Sequence, residues 1–348
     1  MFTSLFSIAR SWLTLACLVL VQLSPGQEAP DSSKKRNSTL FDSLYNLPIE
    51  KVKIVVDLDS LLEGRMTNDE HAAEMHVYTD KGLTMMLPLN ISVRSRSRRR
   101  LCDFPPLKFD FVKGDLKDMG LRKQDDYKIV THCLDGPEGE QVLVKEFLIY
   151  QLYQIITPMS LRAKLVDMTY INSVSKEEFE KKAIILESDK EFAKRQDGKL
   201  CNCMGTSKDS IDPFLFEQLA MFQFMIGNAD MAYLVERNVK FVRQAPDKPM
   251  IPLAYDFDFA ALVNAPYVYP RVFDNRSLPR SYLGFRDYAH VLPEVIQNFV
   301  QKKEEIFNYI EAFEYISNFE RRLCIQYVKK FYRQIEKKKV QLPYAKGH

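Results

Sequence analysis

The sequence is short of most features that classify a protein at a glance. Net charge is only +3 over 348 residues, which gives no global case for nucleic-acid binding. Cysteines are few: apart from Cys17 in the N-terminal apolar run, they are Cys102, Cys133, Cys201, Cys203 and Cys324. An odd set at uneven spacing is no disulfide framework, and one bridge at most is expected. Cys201 and Cys203 lack the nearby histidine that would complete a zinc site. No later apolar run is long enough to span a bilayer, so no stable membrane span is expected once a leader is removed. Internal repeats and low-complexity tracts are absent too. What remains is a chain long enough for two lobes, rich in Phe and Tyr, with ample apolar content for packed cores.

The N-terminus reads as a targeting segment. Arg10 precedes a short apolar run, Trp12 to Leu23, and Ser24-Pro25-Gly26-Gln27 follows with small residues where a signal peptidase cuts. Residues 1–26 are therefore expected to be a cleaved secretory signal, with an uncleaved anchor as the alternative. Residues 27–45 are expected to be a flexible leader. The mature protein is expected to be exported, to the periplasm, the cell envelope or the extracellular space.

The chain is organised around residues 214–270. An apolar helix, FLFEQLAMFQFMI, runs into Gly227-Asn228-Ala229-Asp230, and Asn238 follows at the start of a strand-like VKFV. A polar turn leads to a second strand, IPLAY, which ends at Asp256-Phe257-Asp258. A carboxylate after a helix stop suits a general base that orients a hydroxyl and takes its proton, the role expected of Asp230. Magnesium prefers hard oxygen ligands and keeps several waters, so an Asn carbonyl with one or two carboxylates suffices. Asn238, Asp256 and Asp258 are the expected ligands.

Upstream, KVKIVVDLDSLL reads as a strand running into a polar turn, with Asp57 open to a rival reading as a phosphatase nucleophile. NISVRSRSRRRL alternates so that Arg94, Arg96, Arg98 and Arg100 share one side of an extended chain. PLKFDFVK places Lys108 among apolar residues on a strand, where a lysine is costly to bury unless paired. VLVKEFLIYQLYQIITP is a helix that stops at Pro158 and carries Glu146. A hairpin follows and ends at Ile185-Leu186-Glu187-Ser188, read as a hinge between lobes. Helices fill the tail from Tyr288 to about Lys339.

In this order of motifs the chain resembles atypical kinases of the spore-coat CotH type, and more distantly HipA-like and secretory-pathway kinases. PPLKFDF resembles the segment with the family's strand lysine, LVKEFLIYQLYQ the helix with its paired glutamate, GNAD the catalytic loop, and YDFD the metal-binding aspartate. The resemblance implies an α+β, bilobal protein-kinase-like fold, with an antiparallel-sheet N-lobe (46–190) and a mostly helical C-lobe (191–345). It implies ATP with Mg²⁺ or Mn²⁺, bound by Lys108, Glu146 and Glu187, and an acceptor that is a protein or other hydroxyl compound. No glycine-rich loop precedes the basic strand, and Met-Ala-Tyr follows Asp230. The alternative is therefore a secreted pseudokinase serving as a cell-envelope or coat binding module.

Overall fold

The structure is a computed structural model that describes residues 38–95, 97–268, 274–337 and 340–345. The expected signal segment, most of the expected leader and Arg96 lie outside these residues. The chain is already helical at α1 (Leu40–Asn46), where Thr39 caps the first turn and Leu40, Phe41 and Leu44 are buried. The packed structure thus starts ahead of residue 46.

Strands β1 (Lys51–Val56), β2 (His71–Thr79), β3 (Gly82–Val93), β4 (Leu107–Phe111), β5 (Asp126–Val130), β6 (Ala163–Asn172) and β7 (Glu178–Leu186) form one closed barrel in the order β1-β2-β3-β4-β5-β7-β6. Its neighbours are antiparallel except at the seam, where Val52 to Val56 run parallel to Met168 to Asn172. This corrects the expected bilobal kinase-like architecture. The sheet is not an open antiparallel lobe; it is a mixed barrel that closes on itself. Alternating strands read the same in both cases, because one face is buried either way. The inward side chains, among them Ile54, Met75, Ile91, Leu107, Phe109 and Met168, are fully buried in one cluster. Each such side chain contributes about 1.5–3 kcal/mol.

Helix α2 (Leu58–Glu63) follows β1, capped by Asp57, whose carboxylate accepts from Ser60. Asp57 is thus engaged as a helix cap. The arginine-rich run does not continue β3: the strand ends at Val93, Ser95 has a φ of 72°, and Arg98 opens the short helix α3 (Arg98–Leu101). Helix α4 (Lys113–Asp118) links β4 to β5.

Helix α5 (Pro137–Ile156) is buried on every side over Val142–Tyr150, as expected of a helix enclosed by other elements. Its residues belong to a second, larger core with Val130 and Leu186 of the barrel wall and the helices that follow. Those are α6 (Asp189–Arg195), α7 (Pro213–Ile226), α8 (Leu292–Gln301), α9 (Lys303–Ala312) and α10 (Asn318–Ile335). Tyr153 of α5 stacks on Phe222 of α7 with ring centroids 4.3 Å apart. The antiparallel sheet β10-β9-β8, from β8 (Lys199–Cys201), β9 (Val239–Arg243) and β10 (Ile251–Ala254), completes this part. Two disulfides are present, Cys102–Cys133 and Cys201–Cys203, one more than expected, and Cys324 is free and buried. No helix among the described residues is long and apolar enough to cross a membrane.

Candidate functional site

Where the barrel meets α5 and β10, a cleft of about 370 Å³, counting its open mouth, is lined by Arg94, Arg98, Lys128, Glu146, Tyr150 and Asp256 among others. Only about 30 Å³ of it has room for the centres of water molecules. It is therefore the size of a small anion or a phosphoryl group.

The acidic wall is delivered by the end of β10. Asp256 adopts a left-handed backbone, φ 65°, and its N–H donates to the Tyr150 hydroxyl at 3.1 Å. The next N–H, of Phe257, donates to Glu146 Oε1 at 3.4 Å. Arg98 reaches from α3 across the interface. One guanidinium nitrogen contacts Asp256 Oδ1 and lies 2.6 Å from Asp258 Oδ1. Asp258 Oδ2 accepts from the Tyr267 hydroxyl at 2.9 Å. Burial pushes the Glu146 carboxyl up to about 8 and that of Asp258 up to about 7, against the pull of Arg98. The arginine stays charged: burial opposes its charge, but Asp256 and Asp258 outweigh this and raise its pKa.

The basic wall is Lys128 on β5. Its ammonium lies 2.8 and 2.7 Å from the two oxygens of Asp189 and 4.6 Å from the centre of the Tyr255 ring. Burial, helped by nearby Lys240, lowers its pKa to about 8 despite Asp189. Lys240 of β9 contacts Asp189 as well. The two cations outweigh burial and hold that carboxyl below its usual range.

Asp230 and Asn238 lie together on the loop after α7. Gly227 ends the helix in left-handed conformation, φ 70°. Asn228 Oδ1 then accepts from the Asp230 N–H at 3.0 Å, which folds the loop back. Asn238 Nδ2 donates to Asp230 Oδ2 at 2.9 Å and to its carbonyl at 2.7 Å. Arg237 sits 3.2 Å from the other carboxylate oxygen. Asn238 also bonds towards β10, its carbonyl accepting from the Tyr255 N–H at 3.2 Å.

Of the residues singled out in the sequence, the structure brings Asp256 and Asp258 together with Glu146, and Asp230 with Asn238. Lys108 and Glu187 stand apart. Lys108 points outward from β4 and is held by Asp110 at 2.5 Å. It pairs in register with Lys128, so the lysine in the cleft is one strand further on. Glu187 is fully buried and clasped by Arg162 and Arg195, each at 2.9 Å, which ties the end of β7 to α6. Lys128 and Asp189 were not singled out, and Arg98 only as one of four arginines on one side of an extended chain. Lys128 carries the same signal as Lys108, a lysine between apolar residues on a strand, and nothing in the sequence ranks one above the other.

Among the described residues, no group of three or more His, Cys, Asp or Glu side chains is arranged to hold a metal ion. The oxygens of Asp256 and Asp258 nevertheless converge on a single nitrogen of Arg98. Two carboxylates aimed at one point suit magnesium, which is commonly held by one or two carboxylates, waters and substrate phosphates. No protein-family model matches the chain, and comparison with curated proteins returns no similar sequence.

Proposed function

We propose that the chain is an exported phosphotransferase that moves a phosphoryl group from ATP to a hydroxyl acceptor. The observation that carries this reading is the convergence of the Asp256 and Asp258 oxygens on one point in a cleft whose other wall is Lys128. The Asp230–Asn238 pair on the adjoining loop supports it. In this reading Lys128 offsets charge on the phosphate oxygens. Asp230 orients the acceptor hydroxyl and takes its proton as the new O–P bond forms and the bond to ADP breaks. Asn238 positions Asp230. A divalent metal held by Asp256 and Asp258 would supply further neutralisation of phosphate charge. The resemblance of the motif order to that of CotH-type kinases is in keeping with the activity; the fold carries none of this weight, since function rests on the site. The disulfides support export, because such bonds persist in oxidising compartments.

A second reading is a secreted binding module that uses the cleft without turnover. Arg98 favours it, since its guanidinium already fills the cation position between the two aspartates. Thermal melting with ATP and Mg²⁺ or Mn²⁺ separates the two. Ligand at about a hundred times its dissociation constant stabilises the fold by roughly 2.7 kcal/mol, a shift of several degrees at most at this size. A metal-dependent shift that is lost in Asp256→Ala and enlarged in Arg98→Ala is the expected result. The absence of any nucleotide response would sink the transferase and leave the binding module. A whole nucleotide exceeds the present cleft, so its entry requires Arg98 and α3 to move outward.

A further inference from the structure

The two disulfides stand in opposite settings. Cys102 and Cys133 are 3% and 2% exposed and 31 residues apart in sequence, whereas Cys201 and Cys203 are half-buried and only 2 apart. A bridge between near neighbours restrains few conformations of the unfolded chain, so the fold gains little from it and in turn does little to hold it closed. A bridge near the surface is also the one an attacking thiol reaches, and exposed bridges are the labile ones. Asn202 and Met204, on either side of Cys203, are both exposed.

Cys203 has the surroundings of a leaving group. Arg243 Nη2 lies 3.9 Å from its sulfur, and Met250 Sδ 3.4 Å. A guanidinium beside a sulfur favours the thiolate that forms when the bond opens, and the thiol of lower pKa leaves faster. The bridge also fixes a segment that supports the loop of Asp230 and Asn238. Cys201 ends β8, opposite Phe241 of β9, and the bridge ties Cys203 to that strand end. From there the Cys203 N–H donates to Glu236 Oε1 at 2.6 Å, and the Gly205 N–H to the Leu234 carbonyl at 2.8 Å. Leu234 and Glu236 both lie between Asp230 and Asn238. Glu236 and Asn238 are left-handed, φ 49° and 55°, a conformation that persists in residues other than glycine only where the surroundings enforce it.

We infer that Cys201–Cys203 is an exchangeable disulfide, opened by a dithiol reductant, and that its opening loosens the loop carrying Asp230 and Asn238. One thiolate of the reductant attacks Cys201 Sγ, and Cys203 leaves as a thiolate beside Arg243. The second thiolate then attacks the reductant sulfur of the mixed disulfide and releases Cys201. Two electrons pass to the bridge, the reductant ends as a disulfide, and its two protons are available to the cysteines. An effect on turnover rests on the phosphotransferase reading; the exchange does not.

The full chain is treated with graded dithiothreitol, free thiols are trapped with iodoacetamide and located by mass spectrometry, and amide hydrogen exchange is followed in parallel. Cys201 and Cys203 are expected to be trapped at concentrations about tenfold below those that open Cys102–Cys133. In that range exchange in 230–238 is expected to rise about threefold or more, with β6 unchanged. Cys201→Ser combined with Cys203→Ser gives the raised exchange without reductant and no further response. A melting curve confirms that this variant folds, and the reduced wild type gives the same comparison without substitution. Opening of both bridges together, trapping of Cys201 and Cys203 in untreated protein, or exchange in 230–238 indifferent to opening overturns the inference. No readout involves a nucleotide, so the inference stands or falls apart from the transferase reading.

Discussion

Arg98 lies among buried carboxyl groups, and the protons on two of these shape how stability varies with pH. Glu146 and Asp258 both titrate above the ordinary carboxylate range because they are buried, Glu146 near 8 and Asp258 near 7. A group whose folded pKa is raised contributes stability that is full below its unfolded value and lost as pH rises through the folded one. Glu146 therefore costs stability progressively between about pH 4.5 and 8. Glu146→Gln keeps an acceptor for the Phe257 N–H but cannot ionise. Its stability relative to the wild type is expected to improve from pH 5.5 to pH 8.5 by roughly 1–3 kcal/mol, at 1.4 kcal/mol per pKa unit. Urea titrations at the two pH values measure this, and a constant difference would show that Glu146 does not change its protonation there. Lys128, lowered to about 8 in the fold, adds stability only as pH rises past that value, and it does so in both proteins, so it cancels from the comparison.

Among the elements, α7 and the loop it delivers depend most on one small residue. At Gly227 the backbone is left-handed, and an added Cβ would fall against the Tyr327 hydroxyl and lie 2.9 Å from Ala261 Cβ. Gly227→Ala combines a left-handed penalty with overpacking, so a loss of roughly 2–5 kcal/mol is expected in a denaturant melt. The end of α7 was legible in the sequence for this reason: an apolar helix that meets Gly-Asn has a physical stop. Helix α5, the β6–β7 hairpin and the β9–β10 hairpin were equally legible from apolar periodicity and their bounding turns. Two features were not. Alternating arginines predict a strand, but Ser95 turns the chain and Arg98 enters the interface from a helix, a bend with no periodic signature. Lys108 and Lys128 face each other across β4 and β5. Which of them reaches the cleft depends on where the barrel wall meets β10, a tertiary fact that local sequence does not contain.

At the scale of the whole molecule, the barrel and the helical part are joined through short segments that are pinned covalently or by charge. The Cys102–Cys133 bridge closes a separation of 31 residues and fastens the end of α3 beside the segment after β5. In the chain-entropy account, a loop of that length is worth about 3–4 kcal/mol. Replacing both cysteines by alanine is expected to remove that much in a denaturant melt; a change under about 1 kcal/mol would mean that the ends are held together without the bond. The parallel seam of the barrel has a different consequence, one of timing. Val52 pairs with nearby Val77 on one side, but its partner across the parallel seam is Met168, so during synthesis that edge of β1 must wait until more than a hundred further residues have been made. Pairings so distant in sequence form slowly, and until this one forms the strands present open edges to other chains. The vulnerable interval of this protein therefore precedes the closing of the seam, and any factor that hastens β6 onto β1 shortens it.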